Sequence, residues 1–267
     1  MRRWVWQGVL ALFLLLLAAP LLLLAFWALA RSWPWPQLLP DDFGLRGFRY
    51  LMSPGAGTAR LLLTSGGLSA VVMVLTLGVS VPAARALGTR SFKGKRLVHT
   101  LILTPLLVSP LSVAMGIHGG FIRLGVADSF AGVVLIHLVF GIPYAIRILT
   151  HAFELLGDRM EVQARMLGAT RLQTLRHVTL PLLAPSLVSA GTLVFIVSFS
   201  QYFLTFFIGG GRVVTLPMVL LPFVQSGDRM MASVYSLCFI GLCLGAMTAL
   251  EALVRRHYGN TDHHYLN

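Results

Sequence analysis

Residues Asp158 to Pro181 read DRMEVQARMLGATRLQTLRHVTLP and form a polar segment between two long apolar runs, 130–150 and 181–207. Each run is long enough to cross a bilayer, because a spanning helix needs about 20 mostly apolar residues. We therefore expect the chain to cross a membrane on either side of this segment, and the segment itself to lie in water.

The polar segment carries the signals of two short helices. Asp158 is followed at the third position by Glu161, and Thr170 in the same way by Gln173. This is the spacing of a capping box, in which the two side chains satisfy free amides at a helix start. Gly168 stands between the pairs, where a helix can end in the left-handed conformation that glycine adopts at little cost. The segment is therefore predicted to be a helix–turn–helix.

Working outward, the rest of the chain has the composition of a membrane protein. Of its 267 residues, 57% are hydrophobic and 11% are charged, whereas soluble domains carry about a quarter charged residues. No linker or internal repeat divides the chain, so we expect a single all-α membrane domain over 1–267 with six transmembrane helices. The six apolar stretches are 4–29, 60–84, 97–117, 130–150, 181–207 and 231–254.

The net charge of +12 would suit a nucleic-acid-binding protein, but the positions of the basic residues explain it differently. With the N-terminus inside, fourteen of the 21 Lys and Arg residues fall on the cytoplasmic side, and every Lys lies in one loop there. This bias follows the positive-inside rule. We expect cytoplasmic N- and C-termini and no nucleic-acid partner.

The first apolar run follows Arg2 and Arg3 and could be a cleaved signal peptide. A signal peptide has an apolar core of about 7–15 residues, and this run is much longer. It is interpreted as the first spanning helix.

Apolar residues also mark one face of the polar segment. Met160, Ala164 and Leu167 are spaced to share a helix face, and arginines occupy the opposite one. Together with Ala169, this pattern is typical of a short helical segment outside the membrane that docks onto another protein. An ordinary cytoplasmic loop or an interfacial amphipathic helix carries a similar pattern, so the residues alone leave these alternatives open.

The same segment resembles the signature loop of permeases in binding-protein-dependent ABC importers. The family pattern is Glu-Ala-Ala, three residues, Gly, nine residues, an aliphatic residue, one more residue and Leu-Pro. Here it corresponds to Val162-Gln163-Ala164, Gly168 and Val178-Thr179-Leu180-Pro181, with the Gly-to-Leu-Pro spacing intact. Val162 stands where the family has Glu, and Glu161 lies one residue earlier.

The resemblance implies a type I (MetI-like) importer permease in the bacterial inner membrane, with its coupling helix in the cytoplasmic loop 151–180. It implies a cleft on an ABC ATPase subunit that receives this helix, an extracytoplasmic solute-binding protein, and a second permease subunit, identical or related. ATP would be bound by the ATPase subunit, so the chain itself would hold no cofactor. The implied coupling residues are Glu161, Gln163, Ala164, Gly168, Ala169, Leu180 and Pro181.

A second resemblance concerns the solute. Residues 199–203, Gly209-Gly210-Gly211 and Thr215-Leu216-Pro217 resemble the fifth-helix region of spermidine/putrescine-type permeases. The acidic pair usual in that group appears here as Ser200 and Gln201, so a polycation would lose its obvious counter-charge and a neutral or anionic solute stays open. The expected solute is small and polar: polyamine-like, as the resemblance implies, or an aminophosphonate or similar. Polar residues at membrane depth are candidates for a solute pathway or for hydrogen bonds between helices, and both interpretations apply to Ser198, Ser200, Gln201 and Tyr202.

Other classes of protein fit less well. The chain contains no phosphate-binding loop of the Gly-x-x-x-x-Gly-Lys-Ser/Thr type, so we expect no ATPase site of its own. A secondary transporter or channel subunit is the alternative, but inverted repeats and buried ionisable pairs are not apparent. Catalytic and metal sites are not expected, and His118, His137 and His151 are interpreted as scattered residues at helix ends or in loops.

Overall fold

The computed structural model describes residues 2–33, 36–37 and 39–258, and these residues are largely helical. The helices are α1 (Arg2–Leu29), α2 (Arg46–Met52), α3 (Thr58–Thr89), α4 (Lys95–Leu103), α5 (Pro110–Arg123), α6 (Phe130–Leu156), α7 (Arg159–Met166), α8 (Arg171–Thr174), α9 (Leu180–Phe199), α10 (Phe203–Gly209), α11 (Leu216–Ser226) and α12 (Arg229–Tyr258). Two 3-10 turns, Pro54–Ala56 and Thr104–Leu106, and a π-helical turn, Leu175–Thr179, adjoin them.

Within the described residues, five helical stretches are long and apolar enough to cross a membrane. A bent pair makes a sixth if it is counted as one span. The six-helix prediction is thus reproduced, with two interruptions that the sequence pattern did not show. The five single spans are Trp6–Leu29, Pro54–Thr89, Phe130–Leu156, Arg171–Phe199 and Arg229–Val254.

The bent pair is the third predicted stretch, 97–117. Lys95–Leu106 and Pro110–Arg123 meet at 98°. Pro105 and Pro110 flank this break, and a proline both lacks the amide hydrogen that the helix needs and crowds the preceding turn. The third stretch is therefore two helices joined at a sharp bend.

The second interruption lies in the fifth predicted stretch, 181–207. Helix α9 ends at Phe199 and α10 begins at Phe203. Residues 200–202 connect the two helices and include three of the four predicted pathway residues.

By contacts, the chain divides into two compact units. One contains the described residues of Met1–Leu62 and Leu216–Leu242, and the other those of Leu63–Thr215 and Cys243–Asn267. In the second unit the core lies between α3, α6 and α9, whose contributions include Val72, Ile136, Phe140, Leu149 and Val194. Gly141 of α6 lies against Thr76 of α3 and Val194 of α9, because small residues allow spanning helices to approach closely.

The first unit is held together by side chains from distant parts of the chain. Ala30–Ser32 (β1) pairs antiparallel with Asp42–Phe43 (β2). Gly47 of α2 lies directly against Val234 of α12, and the rings of Phe223 and Tyr235 stack at 5.4 Å.

Candidate functional site: the α7–α8 segment and the α9–α10 break

The turn after α7 has the geometry that the sequence predicted. Gly168 has a φ of +91°, its amide donates to the Arg165 carbonyl at 3.0 Å, and the Ala169 amide donates to the Ala164 carbonyl at 3.0 Å. These bonds satisfy carbonyls that the end of the helix leaves free. A β-carbon on Gly168 would meet no atom within 4 Å. The constraint inside the chain is the backbone conformation.

Of the two predicted capping boxes, only the second is present. The Gln173 amide donates to Thr170 Oγ1 at 3.3 Å, and the Thr170 amide donates to Gln173 Oε1 at 2.8 Å. Asp158 makes no side-chain bond at the start of α7. Its predicted partner, Glu161, points elsewhere because its carboxylate has stronger partners.

Glu161 is the buried polar centre of this segment, with 7% of its surface exposed. Its carboxylate forms an ion pair with Arg85 of α3 and accepts a 3.4 Å bond from Arg165 of α7. Its other oxygen accepts a 2.8 Å bond from the hydroxyl of Thr179, the residue before α9. A buried carboxylate is costly unless charges and hydrogen bonds compensate it. Glu161 therefore joins α7 to α3 and to the start of α9.

The opposite side of the segment presents an apolar tip to solvent. Met166, Leu167 and Leu172 are 83%, 89% and 73% exposed. Large apolar residues grouped in this way commonly mark an interaction surface. We call these three residues the apolar tip.

The predicted coupling residues fall into three environments. Gln163 and Gly168 are exposed, Ala164 and Ala169 are half-buried beside the turn, and Leu180 and Pro181 are half-buried at the start of α9. Glu161 alone is buried. The fold brings these residues together in one segment. Gln163 and Gly168 lie on its exposed surface, whereas Glu161 lies on the buried side that attaches the segment to the spanning helices.

The predicted pathway residues also divide. Ser198 is buried and bonds to His137, so it serves the helix-bridging alternative, whereas the exposed Ser200 bonds to the carbonyl of its own helix at Val197. Gln201 and Tyr202 are half-exposed at the α9–α10 break, and the Tyr202 ring stacks on Phe206 at 5.7 Å.

The interpretation of His137 as a helix-end or loop residue is wrong. It lies within α6 and is 2% exposed, and its ring nitrogens contact Ser198 Oγ at 2.9 Å and Thr205 Oγ1 at 3.1 Å. Because the Thr205 hydroxyl donates to the Gln201 carbonyl, the network assigns the ring proton to Nε2, leaving Nδ1 to accept from Ser198. His137 thus bridges both sides of the α9–α10 break.

Three residues in these networks, Arg85, Thr179 and His137, are absent from the predicted sites. A polar residue at membrane depth is a signal that could have identified His137. Arg85 carried no such signal, because the sequence explains it equally well as a positive-inside charge. Among the described residues, no group of three His, Cys, Asp or Glu side chains could hold a metal ion.

Comparison with known proteins gives a consistent result. A family model described as "Binding-protein-dependent transport system inner membrane component" matches residues 76–257. The trehalose permease protein SugB of Mycobacterium tuberculosis is 30% identical over 72% of this chain and 70% of its own. The spermidine/putrescine permease protein PotC of Haemophilus influenzae is 25% identical over 84% of this chain and 82% of its own.

A solved structure shares the fold. It is a bacterial ABC transporter involved in the import of the acidic polysaccharide alginate. The matched chain has a TM-score of 0.63 and 20% identity, and the match covers 95% of both chains. This likeness confirms the predicted importer-permease architecture.

Proposed function

This chain belongs to the inner-membrane components of binding-protein-dependent transport systems, the permease subunits of ABC importers, and on that premise we propose that its α7–α8 segment is where a separate ATPase subunit docks. The chain is a multi-pass inner-membrane protein and is not itself an enzyme. The observation that carries the proposal is the apolar tip, which the chain leaves exposed beside a segment attached to two spanning helices.

The docking partner is defined by the chemistry of this surface. The apolar tip requires an apolar cleft, and the exposed arginines around it, Arg159, Arg165, Arg171 and Arg176, favour acidic residues at the rim of that cleft. Charge complementarity of this kind directs orientation and speeds association. The tip supplies the apolar contact area, which contributes about 25 cal/mol per Å² removed from water.

Movement of the docked segment would pass into the membrane through Glu161. Because its carboxylate contacts both Arg85 of α3 and Thr179 before α9, a displacement of α7 would be transferred to two spanning helices. ATP binding and hydrolysis in the partner would thereby alternate the access of the pathway. The chain contributes the transmission, and the nucleotide stays on the partner.

The transported solute is proposed to be small and polar, and of the expected classes an aminophosphonate or similar compound is favoured over a polyamine-like one. Residues 198–202 present hydroxyl, amide and phenol groups and no carboxylate. This chemistry favours hydrogen bonding to a neutral or anionic solute over pairing with a polycation. The names of the two relatives, one for trehalose and one for spermidine/putrescine, are compatible with either a neutral or a charged solute.

A second permease subunit, identical or related, is proposed to complete the pathway. An extracytoplasmic solute-binding protein is proposed to deliver the solute to segments 30–59 and 209–229. Six helices form only half of a pathway in this architecture. Crosslinking of the purified chain in membranes, with and without a co-expressed related permease, would distinguish the two kinds of second subunit.

The docking proposal is tested by Leu167→Asp, which places a charge on an 89% exposed residue of the tip. The matched control is Leu124→Asp, at a residue that is 76% exposed just after α5 and is predicted to face the other side of the membrane. We expect the Leu167 variant to insert normally but to lose co-purification with the ATPase, and the Leu124 variant to keep it. Equal retention by both variants would contradict docking at the tip.

A further inference from the structure

A cavity of about 320 Å³ lies at the end of α1, and none of its lining residues belongs to the coupling segment or the α9–α10 break. Its lining includes Trp27, Arg31, Trp33, Asp228 and Arg229. Its volume falls within the range of about 300–1,000 Å³ that small-ligand sites occupy. The proposed delivery of solute involves segments 30–59 and 209–229, which contribute most of this lining, but it assigns the cavity itself no ligand.

The charge around this cavity is unbalanced. Asp228 is its acidic residue, and it already accepts a 2.8 Å bond from Arg46 and a 3.1 Å bond from the Met231 amide. Arg31 and Arg229 have no carboxylate within 4.0 Å among residues 2–33, 36–37 and 39–258. Within the described part of the chain, two arginines therefore line the cavity without an ion-pair partner of their own.

An aromatic ring holds Arg229 at this end of the helix. The Trp27 and Trp33 rings meet edge to face at 6.3 Å, and the Arg229 guanidinium carbon lies 5.4 Å from the centre of the Trp27 ring. This separation is within the range of a cation–π contact. Tryptophan is enriched where a spanning helix leaves the hydrocarbon, so the arrangement places the cavity at headgroup level.

Helix length supports the same depth. The apolar span Trp6–Leu29 has 24 residues and is about 36 Å long at 1.5 Å per residue, against about 30 Å of hydrocarbon. The helix below the cavity exposes Leu22, Leu23 and Phe26, which are 55%, 42% and 50% accessible. Acyl chains can lie on this surface while a headgroup occupies the cavity.

We propose that this cavity binds the phosphate headgroup of an anionic phospholipid. The phosphodiester pairs with Arg31 and Arg229, and the acyl chains follow the exposed face of α1. Free phosphate shares the chemistry of the headgroup but lacks the chains. The combination of an uncompensated arginine pair and an adjoining apolar helix selects the lipid.

The test uses the full chain in neutral detergent, with short-chain phosphatidylglycerol and phosphatidylcholine as probes and native mass spectrometry to measure retained lipid. An arginine near an anionic lipid surface contributes about 1 kcal/mol, and about 1.4 kcal/mol corresponds to tenfold in affinity. The double variant Arg31→Gln/Arg229→Gln should therefore retain phosphatidylglycerol about thirtyfold less well. The control Arg49→Gln, an exposed arginine outside the cavity, should leave retention unchanged.

Each alternative gives a different result. Equal loss in the Arg49 variant, or equal retention of the two lipids, would show unspecific charge attraction and overturn the proposal. Displacement of phosphatidylglycerol by equimolar inorganic phosphate would assign the site to a free phosphate compound instead. If the double variant did not insert, the single variant Arg31→Gln, whose side chain is exposed, should show about a fivefold loss, since about 1 kcal/mol corresponds to that factor. Unchanged retention in this variant would also contradict the proposal.

Discussion

The Thr179 hydroxyl donates a 2.8 Å hydrogen bond to the carboxylate of Glu161, and both residues are buried. They lie eighteen positions apart along the chain, and the exposed turn at Gly168 lies between them. The bond closes the α7–α8 segment at its base, so the apolar tip and the start of α9 are parts of one connected structure.

Replacing Glu161 by Gln should weaken this base. Arg85 and Arg165 would lose their shared counter-charge, although both are more than 40% exposed, which limits the cost. We expect the free energy of unfolding to fall by about 1–3 kcal/mol and proteolysis at residues 158–178 to become faster. Glu154→Gln is the control, because Glu154 is half exposed and its His151 contact is 4.0 Å. Equal proteolysis of the wild type and the Glu161 variant would contradict the bracing role.

Thr179→Val tests the same connection from the other side. It removes one hydrogen bond worth about 0.5–1.5 kcal/mol and keeps the shape of the side chain. In a double-mutant cycle with Glu161→Ala, the two losses should be less than additive because either change removes the contact between the two side chains. Strict additivity would show that the residues act independently.

Two substitutions of Gly168 distinguish the effect of backbone strain at this turn from the effect of a large side chain on docking. An L-residue in the left-handed region costs about 1–2 kcal/mol, and the space around Gly168 is open. Gly168→Ala should keep most ATPase binding, whereas Gly168→Arg should insert normally and lose it. Gly94→Arg is the matched control, since Gly94 also lies in the left-handed region, with a φ of +87°, and has open space around it. If the Gly94 and Gly168 variants bind the ATPase equally, the size of the side chain at Gly168 does not affect docking.

His137→Phe should loosen the α9–α10 break. It keeps an aromatic ring in α6 but leaves the Ser198 hydroxyl without its helix-bridging partner, at a cost of about 1–3 kcal/mol. We expect a lower unfolding temperature and altered transport with normal ATPase binding. His118→Phe is the control, because His118 is half-buried on α5. Identical melting of the two variants would exclude a bridging role.

The solute proposal predicts that charge at the break changes selectivity. Gln201→Glu should raise competition by a polyamine in an uptake assay, because it introduces a carboxylate at a half-exposed position, and Gln201→Asn should not. A shift toward polyamines in both variants, or in neither, would remove Gln201 from the pathway.

Local patterns in the sequence anticipated much of this protein. Apolar length predicts the spans, Gly168 predicts the left-handed turn, and Thr170 with Gln173 predicts the second capping box. Each depends on residues within one helix or turn, and therefore on the order of neighbouring residues alone. The signature spacing that ends at Pro181 indicated the importer-permease family, and the comparisons confirm that family.

Tertiary structure decided where the polar side chains point. Glu161 has the spacing of a cap for α7, yet it pairs with Arg85, which lies 76 residues away, and His137 joins residues 61 and 68 positions distant. A buried charge or imidazole takes the partners that compensate its lost hydration most fully, and those partners become neighbours only when helices pack. Sequence determined which segments enter the membrane, and packing determined which polar groups meet inside and beside it.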